Sequence, residues 1–162
     1  EVHSRIRMGM GEPRKRLFEF SKIALRRLMI NLKSKILNQT SYPMSGQRFE
    51  EMKVWGRAQE LAVNVYSDFK EVRDYSFCDQ IKRAAVSISN NISESSERQT
   101  PIDFARFLDI SKGSAGEVRS MYHLAVKLGF VDITTAKSRC EQCESIAKQL
   151  AGFAKYLRRS RD

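Results

Sequence analysis

Apolar residues recur every three or four positions through four successive segments of the chain, which is the spacing of amphipathic helices. The first segment runs from about Gln47 to Phe69, and the second from about Ser76 to Ser93. The third begins after Thr100 and the fourth runs from about Thr134 to Arg158. No segment alternates apolar and polar residues between turn residues, as a half-buried strand does. The pattern therefore predicts an all-α chain.

Residues that start and stop helices bound these segments. Thr100 followed by Asp103 is typical of a helix N-terminus, and Gly129 suits the stop of the third helix. Asp132 or Thr134 is placed to cap the fourth helix. The intervening loops are short, so consecutive helices should lie antiparallel. The sequence thus predicts an antiparallel up-down four-helix bundle with an N-terminal basic extension.

Each predicted helix has one apolar face that should form the core. The members of these faces are, in chain order, Trp55, Ala58, Ala62, Val65, Tyr66 and Phe69; Phe77, Ile81, Ala84, Ile88 and Ile92; Phe104, Phe107, Leu108, Ala115, Val118, Tyr122 and Ala125; Ala136, Cys140, Cys143, Ala147, Leu150, Ala154 and Leu157. The first and third helices carry further apolar residues beside these faces. We expect this surplus to contact other copies of the chain, through Val54, Leu61, Ile110, Glu117, Leu124 and Leu128.

Two glycines, Gly113 and Gly116, interrupt the third helix, and each costs about 1 kcal/mol relative to alanine. Close approach of another helix would offset that cost, and approach of a ligand or RNA backbone is the alternative. Glu117 falls near the second apolar flank, where a partly buried carboxylate needs a partner. Arg106, Arg83 and Arg98 are candidates for an ion pair that fixes helix register or a subunit contact.

The net charge of +10 is concentrated at one end of the chain. Residues 1–43 hold 10 Lys/Arg and 3 Asp/Glu, whereas residues 44–162 hold 19 and 16. We therefore divide the chain into a basic extension, 1–43, and a bundle, 44–162. The extension is interpreted as upstream sequence foreign to the module, as a basic arm for nucleic acid or an acidic surface, or as a helix for a partner or membrane surface.

The sequence offers little for catalysis. His123 stands alone on a polar face, His3 lies in the extension, and no acid, base and nucleophile come together, so we expect no enzyme, cofactor or metal site. Cys140 and Cys143 form a single CxxC on an apolar stripe, which favours core packing over zinc or redox chemistry. With Cys78 the cysteine count is odd, which favours a reducing cytoplasm. No stretch is apolar enough to span a membrane.

Basic residues on the exposed helix faces are candidates for phosphate contacts. They are Lys53, Arg57, Arg98, Lys112, Arg119 and Lys127. Glu60, Asp68 and Asp109 share those faces, and a mixed-charge face is usually only solvated.

Three ordered stretches resemble a known family. They are FEEMKVWGRAQELAVNVY from Phe49, QIKRAAVSISNNISESSER from Gln80, and DFARFLDISKGSAGEV from Asp103 with LAVKLGF after it. They are similar to the bacterial four-helix bundle proteins first noticed as products of intervening sequences inside 23S rRNA genes. Family members usually carry Pro where Ser89 stands, and the residues around Glu94 also differ, whereas Arg98 keeps the expected type.

The resemblance implies a ring-like homopentamer and no enzyme. It extends to accessory proteins of diversity-generating retroelements, which bind nucleic acid and a reverse transcriptase. Our leading hypothesis is a homo-oligomeric, non-catalytic adaptor that binds structured RNA or a ribonucleoprotein. The alternative is a structural protein–protein interaction module with no nucleic-acid binding.

Overall fold

The computed structural model of the protein describes residues 48–159, so the predictions for residues 1–43 lie outside the described residues. A short 3₁₀ turn, Phe49–Glu51, precedes four helices. They are α1 (Lys53–Asp68), α2 (Tyr75–Ser96), α3 (Pro101–Lys127) and α4 (Ile133–Arg159). Within residues 48–159 there is no strand, and the predicted all-α class is confirmed.

The helices follow one another around the bundle. Each packs on the next in sequence, and α4 returns to pack on α1. The seam between α3 and α4 is the most extensive, and the seam between α1 and α4 is the least extensive of the four helix–helix seams. Short loops make neighbours antiparallel, so the predicted up-down four-helix bundle is confirmed. In this arrangement α1 and α3 lie diagonally across the core, and their outer faces point to different sides.

The predicted helix ends of α3 and α4 are confirmed. Thr100 Oγ1 accepts a hydrogen bond from the backbone N–H of Asp103 at 3.1 Å. Asp132 Oδ1 accepts one from the N–H of Thr135 at 2.8 Å, so Asp132 and not Thr134 caps α4. Gly129 has a φ of 71°, a left-handed conformation that ends α3 and that only glycine adopts without strain.

Two other helix ends differ from the predictions. α1 begins at Lys53 because the residues before it form the 3₁₀ turn, and the extended backbone of Met52, which is buried, separates turn from helix. α2 continues to Ser96, past the predicted end. It continues because Ser95 is fully buried and its hydroxyl donates within the last turn, so this residue belongs to the core and not to a polar loop.

The core face of α1 is broader and rotated relative to the prediction. Val54 and Leu61 are buried in the core of a single chain, whereas Tyr66 is 51% exposed and Trp55 is half-buried. The cause is that α1 packs on both α2 and α4, so it needs a wide apolar arc. The interpretation of Val54 and Leu61 as spare surface for another copy is therefore wrong.

The core faces predicted for the other helices are largely confirmed. All five residues predicted for α2 are buried, while Phe104, Phe107, Cys140 and Ala147 are only partly buried. Two large residues of α4, Ile146 and Phe153, belong to the core although the predicted stripe omitted them. The stripe was too narrow because α4 also packs on two neighbours.

Serines allow α2 and α3 to approach closely. The buried Ser111 hydroxyl on α3 donates to the backbone carbonyl of Ile88 on α2 at 2.7 Å. The hydroxyls of Ser87 and Ser114 lie 3.0 Å apart across the same seam. Each such bond contributes about 0.5–1.5 kcal/mol, and the short side chains bring a hydroxyl within reach of the facing backbone.

Candidate functional site

A largely buried ion pair joins three helices at one end of the bundle. Arg139 on α4 donates from Nε to Asp68 Oδ2 at 2.8 Å and from a terminal nitrogen to Oδ1 at 3.2 Å. The Tyr122 hydroxyl on α3 donates to Asp68 Oδ2 at 2.7 Å. The Asp68 and Arg139 side chains are 11% and 19% exposed. Asp68 was predicted to lie on a solvated face of the first helix, and that prediction is wrong because Arg139 and Tyr122 enclose it.

The cluster has a structural role, because its hydrogen bonds link α1, α3 and α4. Burial, followed by the bond to Asp68, raises the pKa of Tyr122, and the bond to Asp68 raises the pKa of Arg139. Both groups therefore remain protonated across the physiological range. Because the carboxylate already accepts three bonds, the cluster offers no free base or nucleophile to a substrate.

His123 on α3 lies beside Cys140 on α4, a neighbour that the spacing within one helix did not reveal. His123 Nε2 and Cys140 Sγ are 3.8 Å apart. Burial raises the pKa of the Cys140 thiol, and it raises the pKa of the buried Cys143 thiol to about 12. Thiolates are the reactive form, so this environment favours packing over redox chemistry. Neither cysteine, nor Cys78, is in a disulfide.

The outer face of α3 combines large apolar residues with glycine. Ile110, Leu124 and Leu128 are 44%, 46% and 49% exposed, in agreement with the predicted second flank. Ile102 near the start of the helix is 42% exposed. We use the term outer face of α3 for the solvent side of this helix, whose exposed residues include Ile102, Arg106, Ile110, Gly113, Gly116, Glu117, Leu124 and Leu128.

The glycines of this face meet nothing within the chain. A Cβ built on Gly113 or Gly116 has no atom of another element within 4 Å. The expected approach of another helix is therefore not met by any helix of the same chain, and their cost of about 1 kcal/mol each remains without an offset inside one chain.

Glu117 also differs from its predicted environment. It is exposed, and it accepts a hydrogen bond from Gln80 on α2. Arg83 pairs with Asp79 at 3.1 Å, and within residues 48–159 no arginine pairs with Glu117. The predicted intrachain ion pair is wrong, because α2 presents an amide there instead of a cation.

The six basic residues predicted to bind nucleic acid do not form one surface. Lys53 and Arg57 lie on α1, whereas Lys112, Arg119 and Lys127 lie on α3, diagonally across the bundle. Arg119 is 3.2 Å from Glu144 on α4.

Arg98 is likewise already engaged. It pairs with Glu94, and its guanidinium lies 4.2 Å from the centre of the Phe107 ring. Among the residues that the structure describes, Lys53, Arg57, Lys112 and Lys127 have no ion pair.

A basic surface that the sequence reasoning missed lies on the outer side of α4. Lys148, Lys155 and Arg159 are exposed at spacings of seven and four residues, which is a helical repeat. Lys53 and Arg57 lie on α1, which packs on α4. We call these five residues the α1–α4 basic side. The spacing of these cations can be read from the sequence. It was overlooked because Glu141 and Glu144 stand in the same helix and make its exposed residues look mixed in charge.

The described part of the chain shows neither a cluster of metal ligands nor a helix that could span a membrane. In residues 48–159 no group of three or more His, Cys, Asp or Glu side chains is arranged to hold a metal ion. None of the helices α1 to α4 is long and apolar enough to cross a membrane.

Comparisons with known proteins agree with this architecture. A solved structure from Bacteroides thetaiotaomicron, described as a protein of unknown function from the S23 ribosomal protein family, superimposes with a TM-score of 0.60 at 25% sequence identity. The match covers 63% of this chain and 98% of that chain. Comparison with curated proteins finds no similar sequence.

The family assignment rests on most of the bundle. Residues 50–152 match the family described as 23S rRNA-intervening sequence protein. The matched range runs from the 3₁₀ turn into α4 and covers all but the first residue, Phe49, of the stretches from which the resemblance was drawn. The chain therefore belongs to the 23S rRNA-intervening sequence protein family.

Proposed function

We propose that the protein is a homo-oligomeric, non-catalytic adaptor that binds structured RNA or a ribonucleoprotein in the bacterial cytoplasm. In this proposal the copies form the ring of five that the family resemblance implies. The observation that carries the proposal is the outer face of α3, where exposed aliphatic side chains accompany two glycines that no other element of the same chain approaches.

The apolar part of that face supports self-association. Four aliphatic side chains, each more than two-fifths exposed, follow one side of a helix about 40 Å long. Exposed apolar side chains that recur along one face of a helix are a feature of surfaces that bind another protein. The open space above Gly113 and Gly116 lets a neighbouring helix approach closely, which offsets the cost of glycine in a helix.

The charges of the face support a second copy as the occupant. Arg106 and Glu117 lie on the same face, and neither has an ion pair in residues 48–159. In a ring, this face meets a different surface of the neighbouring copy, and that copy carries both cations and carboxylates, so it can supply a counter-ion to each charge. A partner of a single sign would neutralise one charge and repel the other.

The α1–α4 basic side supports the RNA part of the proposal. Cations that are not already paired are the ones free to replace counter-ions on phosphates. Lys53, Arg57, Lys155 and Arg159 meet that condition among the described residues. They lie on α1 and α4, away from the outer face of α3, so assembly and RNA binding use different surfaces.

Sedimentation equilibrium of the full chain tests the assembly. Ile110→Lys places a charge in the centre of the proposed interface and should reduce the mass from a multimer to a single chain. Tyr75→Lys is the control, because Tyr75 is 83% exposed on α2 and outside this face. A monomeric wild type, or equal masses for the two variants, would count against self-association through α3.

Filter binding to 23S rRNA fragments across a salt series tests the RNA part. We expect log affinity to fall linearly with log salt concentration, with a slope reduced by about 1 for Lys155→Gln. Arg83→Gln is the control, because Arg83 is exposed on α2, diagonally across the bundle from α4. Affinity without salt dependence would contradict the proposal.

One observation favours the alternative, a protein–protein interaction module without nucleic acid. Arg98 and Arg119, two of the six basic residues first expected to contact RNA, are already neutralised by Glu94 and Glu144. A partner captured from cells that survives nuclease treatment, together with no RNA binding, would support this alternative.

A further inference from the structure

A small groove lies on the α1–α4 seam, the least extensive seam of the bundle. It is lined by Arg57 and Glu60 on α1 and by Gln142, Ser145 and Ile146 on α4, and its volume is about 240 Å³. Pockets for whole ligands usually measure about 300–1,000 Å³. This groove therefore suits one flat ring-sized group, and Ile146 provides an apolar floor for it.

The charged groups at the groove are not used by the fold. Arg57 and Glu60 are one helical turn apart, and neither has an ion pair among residues 48–159. On the α3–α4 seam, by contrast, Arg119 pairs with Glu144 and Arg158 pairs with Asp109. The α1–α4 seam thus keeps a guanidinium and a carboxylate available side by side.

The uncharged groups at the groove keep hydrogen-bonding capacity as well. Gln142 Oε1 accepts a bond from Asn64 at 3.4 Å, which leaves the Gln142 amide N–H groups to donate. The Ser145 oxygen accepts from Gln149 at 3.4 Å, which leaves its hydroxyl hydrogen to donate. The groove therefore offers donors from both helices and one strong acceptor, the Glu60 carboxylate.

Among the nucleobases, guanine matches this combination. Its O6 and N7 atoms accept the two parallel bonds of a guanidinium. Its N1–H and amino group lie next to each other and donate to the two oxygens of one carboxylate. Adenine presents the N7 acceptor next to an amino group, which is a donor. That edge is bound by a side-chain amide and not by a guanidinium. A base recognised on its Watson–Crick edge must be unpaired, which is the state of bases in RNA loops.

We propose that the α1–α4 groove takes one unpaired guanine of an RNA loop, with Glu60 on its Watson–Crick edge and Arg57 on O6 and N7. The base lies against Ile146, and Gln142 and Ser145 donate to the adjoining ribose or phosphate. The other four residues of the α1–α4 basic side then hold the flanking phosphates. This inference rests on the proposed RNA-binding function and adds a base preference to it.

The test uses the full chain and a pool of RNA hairpins with one stem and a short randomised loop. Wild type should enrich guanine at one loop position, and replacing that guanine by adenine should weaken binding about 10-fold. Glu60→Gln should remove this preference and still retain the pool. Glu141→Gln is the matched control, because Glu141 is exposed on α4 outside the groove, and it should keep the preference.

The outcomes separate this inference from the proposed function. Salt-dependent retention of the pool without any guanine preference, or the same preference in wild type and Glu60→Gln, overturns the groove assignment and leaves RNA binding intact. No salt-dependent retention overturns both. Competition of GMP against the pool, with AMP as control, distinguishes a free nucleotide. Displacement by GMP at concentrations comparable to the RNA would assign the groove to a nucleotide and overturn the RNA assignment.

Discussion

Removing Arg139 should destabilise the protein far more than removing other paired arginines. Arg139→Met keeps much of the volume of the side chain but takes both guanidinium bonds from Asp68. The carboxylate is 11% exposed, so water does little to replace them, and Tyr122 alone remains as a donor.

The expected loss follows from the geometry. Leaving one partner of a buried ion pair without the other costs about 3–5 kcal/mol. Because both side chains keep some contact with solvent, we expect a loss near 3 kcal/mol. Tyr122→Phe removes one hydrogen bond to a charged group, which corresponds to about 1.5–3 kcal/mol.

Urea unfolding followed by circular dichroism at a fixed protein concentration gives these differences. The control is Arg119→Met, whose partner Glu144 is 47% exposed, and surface pairs contribute about 0–1 kcal/mol. The double variant Asp68→Asn with Arg139→Met removes both charges and should lose less stability than Arg139→Met alone.

Either of two results would refute this role of the ion pair. The first is a loss for Arg139→Met no larger than that for Arg119→Met, which would mean that the pair is not held away from water. The second is a double variant less stable than Arg139→Met, which would mean that the lost contacts, and not an unpaired charge, account for the effect.

Three further predictions concern single residues. Gly129→Val should cost about 1–2 kcal/mol in urea unfolding, because its φ is left-handed; an unchanged midpoint would contradict the geometry of that turn. Thr100→Ala should cost about 1 kcal/mol through loss of the α3 cap, and Thr100→Ser should restore most of it. Iodoacetamide at pH 8 followed by mass spectrometry should modify Cys140 before Cys143, whose pKa of about 12 keeps it a thiol. Equal rates would show that Cys143 is accessible in the folded state.

The sequence was a good guide to the parts of the fold that depend on local rules. Helical spacing located four helices, and the caps at Thr100 and Asp132 and the stop at Gly129 depend only on residues nearby in the chain. The buried face of α2 was also recognised, because one clear stripe meets the core.

Features that depend on how helices pack together were less predictable. The rotation of α1 that buries Leu61 follows from contact with two neighbours, which periodicity does not specify. The ion pair of Asp68 with Arg139 joins residues 71 apart in the chain, and Arg139 gave no signal of its own. The pairing of Arg119 with Glu144 likewise required the register of α3 against α4.

Of the candidate surfaces, the one that lies on a single helix was predicted from the sequence, and the one formed by two helices was not. The exposed flank of Ile110 and Leu124 was predicted from spacing within one helix. The α1–α4 groove was not, because Arg57 and Ser145 come together only when the first and last helices pack side by side.

If the outer face of α3 joins copies of the chain, Gly113→Leu should separate them. Within one chain the new side chain meets open space, and it improves helix propensity by about 1 kcal/mol, so the bundle should keep its helical circular dichroism. Sedimentation equilibrium should give a multiple of 18.7 kDa for wild type and a single chain for the variant. A wild type that sediments as one chain, or a Gly113→Leu variant that remains fully assembled, would contradict the account.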